Sequence, residues 1–447
     1  MKKLLLIVIL GTVCTLGKAQ WMPQYTHFTS DGVGISYMDA VDANNVWALG
    51  YDGISPFQYL KDFVRTTDGG NHWTPGVIPG YAIYGMSMIC AIDGLTAWVP
   101  LYDTVNNGGV LLKTSDGGAT WVPKNTAAFA APDGFPNVVH FFSASEGFCM
   151  GDPNGGYFEI YTTTDGGDTW TRVPSANIPN ELSQEWGIIG YYSVVGDNIW
   201  FGTNKSRVYR STDKGHTWAV STVVNSATYI DVDFINAMHG IAHDRGSTST
   251  GAMYETFDGG ATWNLMTVTG PHYTYDFSWV PGTANTCVST SVYQTAPGMS
   301  FSVNGGHTWT DFNGTTGVQI MATDWVDPST GWAGAYYMTT DTLTYPGMYK
   351  YAGDPLQVLQ IDPKDGGMVI YPNPGNGTFT LTLVGFENKE VTVNIYNSLG
   401  QCVHSQLALQ DLVSYNETLD LSALPMGSYI AVIQNGTKIL TEKLIIR

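Results

Sequence analysis

Short apolar runs, each broken by a polar turn, recur along most of the chain. VDANNVWALG (41–50), FFSASEGFCMG (141–151), VVGDNIWFG (194–202), INAMHGIAH (235–243) and VDPSTGWAG (326–334) share one plan of strand, polar turn and second strand. A second phrase alternates with them: RTTDGGNHW (65–73), KTSDGGATW (113–121), TTTDGGDTW (162–170), RSTDKGHTW (210–218), ETFDGGATW (255–263) and FSVNGGHTW (301–309). Thr before the acidic residue and Thr-Trp after it favour strand, and the Asp-Gly-Gly between them is a tight-turn signal. The Asp carboxylate can accept backbone N–H groups just beyond it, Gly supplies positive φ, and the Trp returns along the next strand to cover the hairpin.

The markers Asp68, Asp116, Asp165, Asp213, Asp258 and Asn304 stand 48, 49, 48, 45 and 46 residues apart. A fixed period in this range, with four short strands per unit, predicts the blades of a β-propeller. Lys214 replaces one Gly and Asn304 one Asp; both are compatible with the turn. VDPSTGWAG has no box after it, only the strand-like MYKYAGDP (348–355). At the other end, Trp21-Met22-Pro23 repeats the Trp-x-Pro of Trp73-Thr74-Pro75 and Trp121-Val122-Pro123. The stretch after Trp21 is therefore expected to be the outermost strand of the final blade, which removes an open sheet edge. Residues 20–352 then hold about seven units of ~47 residues.

From Met368 the period disappears. Seven alternating strands are predicted, at 368–371, 378–383, 391–396, 402–409, 414–421, 429–434 and 438–446, with turns at Asn373-Pro374-Gly375-Asn376-Gly377, Asn397-Ser398-Leu399-Gly400 and Asn435-Gly436. This spacing suggests a small β-sandwich. The expected organisation is all-β: a seven-bladed β-propeller (20–352) closed by the N-terminal strand, a linker (353–367), and a small Ig-like sandwich (368–447).

Both parts resemble known families. The box resembles the Asp-box (BNR) repeat of sialidases, some glycoside hydrolases, sortilin-type receptors and photosystem assembly factors of the Ycf48 type. The resemblance implies that each box joins the third and fourth strands of a blade, on the rim away from the functional face. It gives structural roles to Asp68, Trp73, Asp116, Trp121, Asp165, Trp170, Asp213, Trp218, Asp258, Trp263, Asn304 and Trp309. YPNPGNGTFTL (371–381), VNIYNSLGQ (393–401), LPMGSYIAVI (424–433) and KLIIR (443–447) resemble the type A sorting domain of type IX secretion in Bacteroidota. That resemblance implies passage across the outer membrane through the type IX machinery, and removal of the domain by a sortase-like peptidase. The product is secreted or attached to the cell surface.

The first residues agree with export. Lys2 and Lys3, an apolar stretch from Leu4 to Leu10 and Gly17-Lys18-Ala19 read as a signal peptide covering residues 1–19. No later run approaches the ~18 apolar residues needed to span a bilayer. Nineteen basic residues face 38 acidic ones, and without Lys2, Lys3 and Lys18 the net charge is −22. Nucleic acid is a poor partner for such a surface, because its phosphates require Lys and Arg. Cys90, Cys149, Cys287 and Cys402 show no metal or disulfide spacing and are expected as buried thiols.

Candidate chemistry is sparse. The three converging arginines of a sialidase cannot be assembled from Arg65, Arg172, Arg207, Arg210, Arg245 and Arg447, since only Arg207 and Arg245 fall in suitable loops. His239 and His243 lie in a strand phrase, where four residues span about 13 Å, too far for one ion. Neither metal nor cofactor is expected. Asp231 and Asp233 lie two apart on a predicted innermost strand, about 7 Å from each other, near the separation used by inverting glycosidases. Binding is better supported. Trp186, Tyr229, His272 and Tyr273 enter innermost strands, with Glu185 and Arg245 as polar neighbours; Tyr191, Tyr192 and Tyr337 add further rings. Such rims suit sugars or peptide side chains. The expected function is a monomeric, non-enzymatic glycan- or protein-binding or adhesion module. A glycoside hydrolase of extracellular polysaccharide and an assembly factor for a cell-surface complex are the alternatives.

Overall fold

The computed structural model describes residues 21–353 and 367–446, apart from 31, 55–58, 125–127, 227, 246–250, 284, 313–316, 337–345, 372–376, 385–389, 398, 410–413 and 436–437. The leader, Tyr337 and most of the expected linker lie outside the described residues. The chain divides into two compact units, Met1–Gln357 and Val358–Arg447.

Seven antiparallel sheets follow one another among the described residues of the first unit. They are sheet I (Val33–Val77), II (Tyr84–Pro123), III (Pro136–Arg172), IV (Ser193–Thr222), V (Ile230–Leu265), VI (Asp276–Asp311) and VII (Ile320–Tyr351 with Trp21–Gln24). The second strands are buried on both faces, apolar as in VWALGYD or hydroxyl-rich as in CVSTS (Cys287–Ser291), because neighbouring sheets pack against either side. Trp47, Trp98, Trp200 and Trp332 occupy one equivalent position on these strands and are fully buried. Trp200, for example, stacks on Phe234 of the next sheet at 3.8 Å between ring centroids.

The boxes join the third and fourth strands of sheets I–VI. Each is built around a buried hydroxyl two residues before the marker. Thr114 donates to Asp116 Oδ1 at 2.9 Å and accepts the Gly118 N–H at 2.9 Å, while Asp116 Oδ1 also accepts the Thr120 N–H at 2.9 Å. Asn304 reproduces the pattern with Ser302 and Thr308. Paired glycines carry positive φ in the turn, and Lys214 takes the same conformation at φ 58°. An L-residue there carries a left-handed cost of about 1–2 kcal/mol. Its ammonium lies 2.7 Å from Glu146, an exposed pair that offsets little of this.

A cation next to last in several of the third strands reaches the following box. Arg65 donates to the Gly117 carbonyl, Lys113 to that of Gly166 and Arg210 to that of Gly259, at 3.0, 3.3 and 3.4 Å. Sheet VII has no box, yet its Lys350 donates to the Gly69 carbonyl of sheet I at 2.7 Å.

At the innermost strands the cycle of sheets closes through hydrogen bonds. Asp39 accepts the Ala91 N–H (I to II), the Ser87 hydroxyl donates to the Pro136 carbonyl (II to III), and His140 Nδ1 meets the Tyr192 hydroxyl (III to IV). Asp233 accepts the Ser193 hydroxyl (IV to V) and the Trp279 N–H (V to VI). Asp276 accepts the Thr323 N–H (VI to VII), and Asp324 accepts the Ala40 N–H (VII to I), both at 2.7 Å.

The first described strand completes the last sheet. Trp21 pairs with Tyr351 and Gln24 with Met348. Trp21 is buried, with its ring 5.3–5.6 Å from those of Tyr351, Phe312 and Trp325. Gln24 accepts the Trp73 indole N–H of the first box at 3.0 Å.

The described residues of the second unit form seven strands in two sheets, ordered Gly367–Tyr371, Thr378–Val384, Ser414–Asp420 and Cys402–Leu409, Glu390–Tyr396, Gly427–Asn435, Lys438–Ile446. Phe379, Leu381 and Leu419 of the first sheet share one core with Val393, Ile395, Ala431, Ile433 and Leu444 of the second. The thiols of Cys90, Cys149 and Cys287 are buried, whereas Cys402 is exposed, contrary to expectation, at the start of its strand beside the Asn397 turn.

Replacing the buried Trp21 by Ala is expected to cost about 3–5 kcal/mol, while Met22→Ala, on the exposed side of the same strand, stays within ~0.5 kcal/mol. Equilibrium denaturation of the two variants checks this contrast.

Candidate functional site

Strand direction assigns the two rims. The boxes turn strand three into strand four, so the connections between strands two and three, and those leading into the next sheet, emerge on the opposite rim. On that rim lies a cavity of about 520 Å³, lined by Phe135, Asn137, Asp152, Trp186, Tyr191, Tyr229, Arg245 and Tyr275 among others.

Of the expected binding residues, Trp186, Tyr229 and Arg245 meet here. Trp186 and Tyr229 are 40% and 46% exposed, with ring centroids 6.5 Å apart. Arg245 lies between Tyr191 and Tyr275, its guanidinium carbon 3.7 and 4.8 Å from the ring centroids, and donates to the Tyr191 hydroxyl at 2.7 Å. This stack ties sheets IV, V and VI together behind the rim aromatics. Against the lowering effect of burial, Tyr191 first and then Asp231, Tyr275 and Asp276 hold its pKa above the ordinary value.

Glu185 does not face the cavity. It is buried and takes a bidentate contact from Arg207, together with the Thr203 hydroxyl at 2.8 Å and the Leu182 N–H at 2.9 Å. Asn204 accepts the Trp186 N–H at 2.9 Å. Glu185 therefore fixes the loop that displays Trp186. Its charge looks functional in the sequence because its partner lies 22 residues away. Arg207 is spent in the same pair. His272 and Tyr273 also fall outside the cavity lining. The Tyr273 hydroxyl donates to Asp311 on the outermost strand of sheet VI at 3.2 Å. Tyr275, two residues on, faces the cavity instead. Its place immediately before the innermost strand Asp276–Trp279 was the available signal. Asn137 and Phe135 carried no comparable signal.

Below the mouth, a second cavity of about 320 Å³ runs between the innermost strands, lined by Asp39, Asp231, Asp233, Asp276 and Asp324 with Tyr37, Tyr192, Cys90 and His140. Burial pushes the carboxyls up from 3.8: Asp39 and Asp233 to about 6, Asp276 to about 7 and Asp231 to about 8, with Asp324 also raised. Asp231 and Asp233 do share this channel, but Asp233 is a structural joint. Its Oδ2 accepts the Trp279 N–H, and its Oδ1 accepts the Phe234 N–H and the Ser193 hydroxyl. Asp231 lies 3.8 Å from the buried His243, whose pKa burial lowers to about 3. In the mouth itself, burial raises Asp152 to about 6 against hydrogen bonds from Asn137 and Gly187. Among the described residues, no group of three or more His, Cys, Asp or Glu side chains is placed to hold a metal ion. No helix there is long and apolar enough to cross a membrane.

Comparison with known proteins finds similarities to both parts of the chain. Residues 369–447 match the secretion system C-terminal sorting domain, and residues 104–227 match the photosynthesis system II assembly factor YCF48 family. A xyloglucanase of Acetivibrio thermocellus, Xgh74A, is 27% identical over 318 residues, covering 58% of this chain and 37% of the xyloglucanase. The chloroplastic photosystem II stability/assembly factor HCF136 of Oryza sativa subsp. japonica is 24% identical over 145 residues, covering 31% of this chain and 32% of that protein. The chain thus spans about a third of the length of these relatives. A solved structure of YCF48 bound to D1 peptide superposes with a TM-score of 0.54 at 15% identity, over 76% of this chain and 99% of that one. YCF48 from Cyanidioschyzon merolae gives 0.53 at 17% identity, over 75% and 99%. The fold is a β-propeller of this type, and the sorting domain directs the chain through type IX secretion to the cell surface or beyond.

The carboxyls set a distinctive pH dependence. Raised folded-state values mean that the folded chain keeps protons which the unfolded chain has released, so their stabilisation is full below about pH 4 and declines as pH rises through 6 to 8. The exposed box carboxylates act oppositely. Hydrogen bonds from the turn lower Asp68 and Asp165 to about 2, so their contribution is lost as pH falls from 4 towards 2. The melting temperature is expected to be higher at pH 5 than at pH 8 or pH 2.5. Asp231→Asn is expected to flatten the alkaline limb in a calorimetric pH series.

Proposed function

We propose that this exported propeller is a non-enzymatic binding module that holds an extracellular glycan in the aromatic mouth opposite its boxes. The observation that carries this reading is the cavity itself: the part-exposed rings of Trp186 and Tyr229 line it with Asn137 and Asp152, on loops anchored by the Glu185–Arg207 pair and the Arg245 stack. Ring faces stack on sugars with little entropy loss, because an aromatic side chain has only two torsions to fix. The channel carboxylates support binding over hydrolysis. Asp233 has both oxygens engaged by neighbouring N–H and O–H donors, which removes it as an acid or base. The type IX machinery engages the C-terminal domain, and a sortase-like peptidase then removes it.

Glycoside hydrolysis is the second reading. It is favoured by the partial match to a xyloglucanase and by the raised carboxyl of Asp152 within the cavity. The two readings differ in turnover.

On a glycan array and a panel of polysaccharides including xyloglucan, the chain is expected to retain at least one glycan without releasing reducing ends. Trp186→Ala and Tyr229→Ala are each expected to weaken that binding about tenfold or more, with melting temperature unchanged, because both rings are half exposed. Sugar release that disappears in Asp152→Asn or Asp231→Asn would establish the hydrolase reading instead.

A further inference from the structure

Two turns of the second unit hold large apolar side chains out in solvent. Leu399 is 82% exposed and Met426 79%, the two most exposed large apolar side chains among the described residues. Neither turn is loose. Asn397 Oδ1 accepts the N–H groups of Leu399 and Gln401, both at 3.0 Å, and the Tyr429 hydroxyl donates to the Pro425 carbonyl at 2.7 Å. Strand register sets the two turns side by side. Glu390–Tyr396 runs antiparallel to Gly427–Asn435 with Tyr396 opposite Ile430, so the first strand ends near where the second begins. Ile430 stands between the buried Tyr429 and Ala431 and is itself 49% exposed, which puts it on the outer face of the sheet.

This apolar exposure is local. The next row on the same face sets Val432 opposite Asn394 and Asn394 opposite Ser405, whose hydroxyl donates to the Asn394 side chain at 2.7 Å. On the inner side, Phe379, Leu381, Ile395 and Leu444 are buried in one core. The unit thus fills its own core and still displays Leu399, Met426 and Ile430 at one end. Apolar surface held in place in water gains free energy when it is covered. The family match indicates what covers it. Residues 369–447 match the secretion system C-terminal sorting domain, so the type IX machinery handles this unit during export.

We propose that Leu399, Met426 and Ile430 form the surface by which the type IX machinery holds this chain, against an apolar surface of one of its components. Neither turn, 397–401 or 424–428, carries an ionisable side chain. The contact is therefore made by burial and not by charge pairing. Removal of the domain after export removes the apolar tips with it, so they serve in transit only. This inference rests on the sorting role of the domain and adds the place and the chemistry of its recognition.

The test uses the full chain expressed in a host with a type IX system, with its extracellular and envelope fractions quantified by immunoblot. The double variant Leu399→Ser/Met426→Ser is expected to lower the extracellular fraction about tenfold, with the melting temperature of the purified chain unchanged because both side chains are exposed. Export is expected to survive the apolar exchange Leu399→Met/Met426→Leu. It is also expected to survive Leu265→Ser, a 69% exposed position of sheet V that serves as the control. Ile430→Thr keeps a strand-favouring side chain, is expected to reduce export in the same direction, and carries the test if the serine variant melts earlier. Native-level export of the serine and threonine variants refutes the surface. Equal loss in Leu265→Ser, or equal loss in the apolar exchange, refutes it as well. If deletion of residues 368–447 leaves export intact, the sorting role itself fails and this inference with it. If sedimentation shows a native dimer that the serine variant abolishes without loss of export, the patch joins two copies of the chain and the proposal is overturned.

Discussion

The pairing of Trp21–Gln24 with Met348–Tyr351 is the contact on which the ring depends. A circle of sheets is only as stable as its last joint, because a strand edge left open exposes a row of unpaired N–H and C=O groups. Here the joint is made from residues over three hundred positions apart in sequence. Three independent interactions reinforce it: Gln24 with the Trp73 indole, Lys350 with the Gly69 carbonyl, and Asp324 with the Ala40 N–H. Each repeats, at the closing point, a device used between other sheets. Closure is thus the seventh instance of a common plan.

The two rims divide the labour. On one, a hydroxyl, a carboxylate or amide, and glycine lock the turns, and at four of them a cation from the preceding sheet reaches the turn carbonyl. That rim is regular because its bonds are nearly all local or between adjacent units. On the other rim the loops differ from sheet to sheet, and there part-exposed aromatic rings and a stacked arginine converge. Between them, buried carboxylates bridge neighbouring innermost strands. Their burial gives rigidity at mildly acidic pH, and the same proton retention weakens the ring as they ionise.

Much of this architecture was legible in the sequence. The box period marked the repeating sheets, and the alternating runs after Met368 located the seven strands among the described residues of the second unit to within two residues. Both signals are local, and local patterns survive in one dimension. The site was less legible. Glu185 read as a ligand contact because nothing near it in sequence reveals that Arg207 neutralises it. Asp233 read as a potential acid, although three Asp-aromatic pairs on innermost strands, Asp233-Phe234, Asp276-Phe277 and Asp324-Trp325, spelled out a recurring joint. Tyr275 rather than Tyr273 meets the cavity, and Asn137 acquires meaning only beside Asp152. Which face a side chain meets depends on the next sheet, and that is set by the ring.

The most direct test of the closed ring is strand complementation. A chain beginning at Tyr25 lacks the closing strand, and a synthetic peptide covering residues 20–26 can supply it by edge addition. Denaturation midpoint and light scattering are measured with and without the peptide. The account predicts that the truncated chain melts earlier and self-associates through its open edge, and that the peptide restores both properties. A truncated monomer with the full-length midpoint, or a peptide without effect, would contradict it.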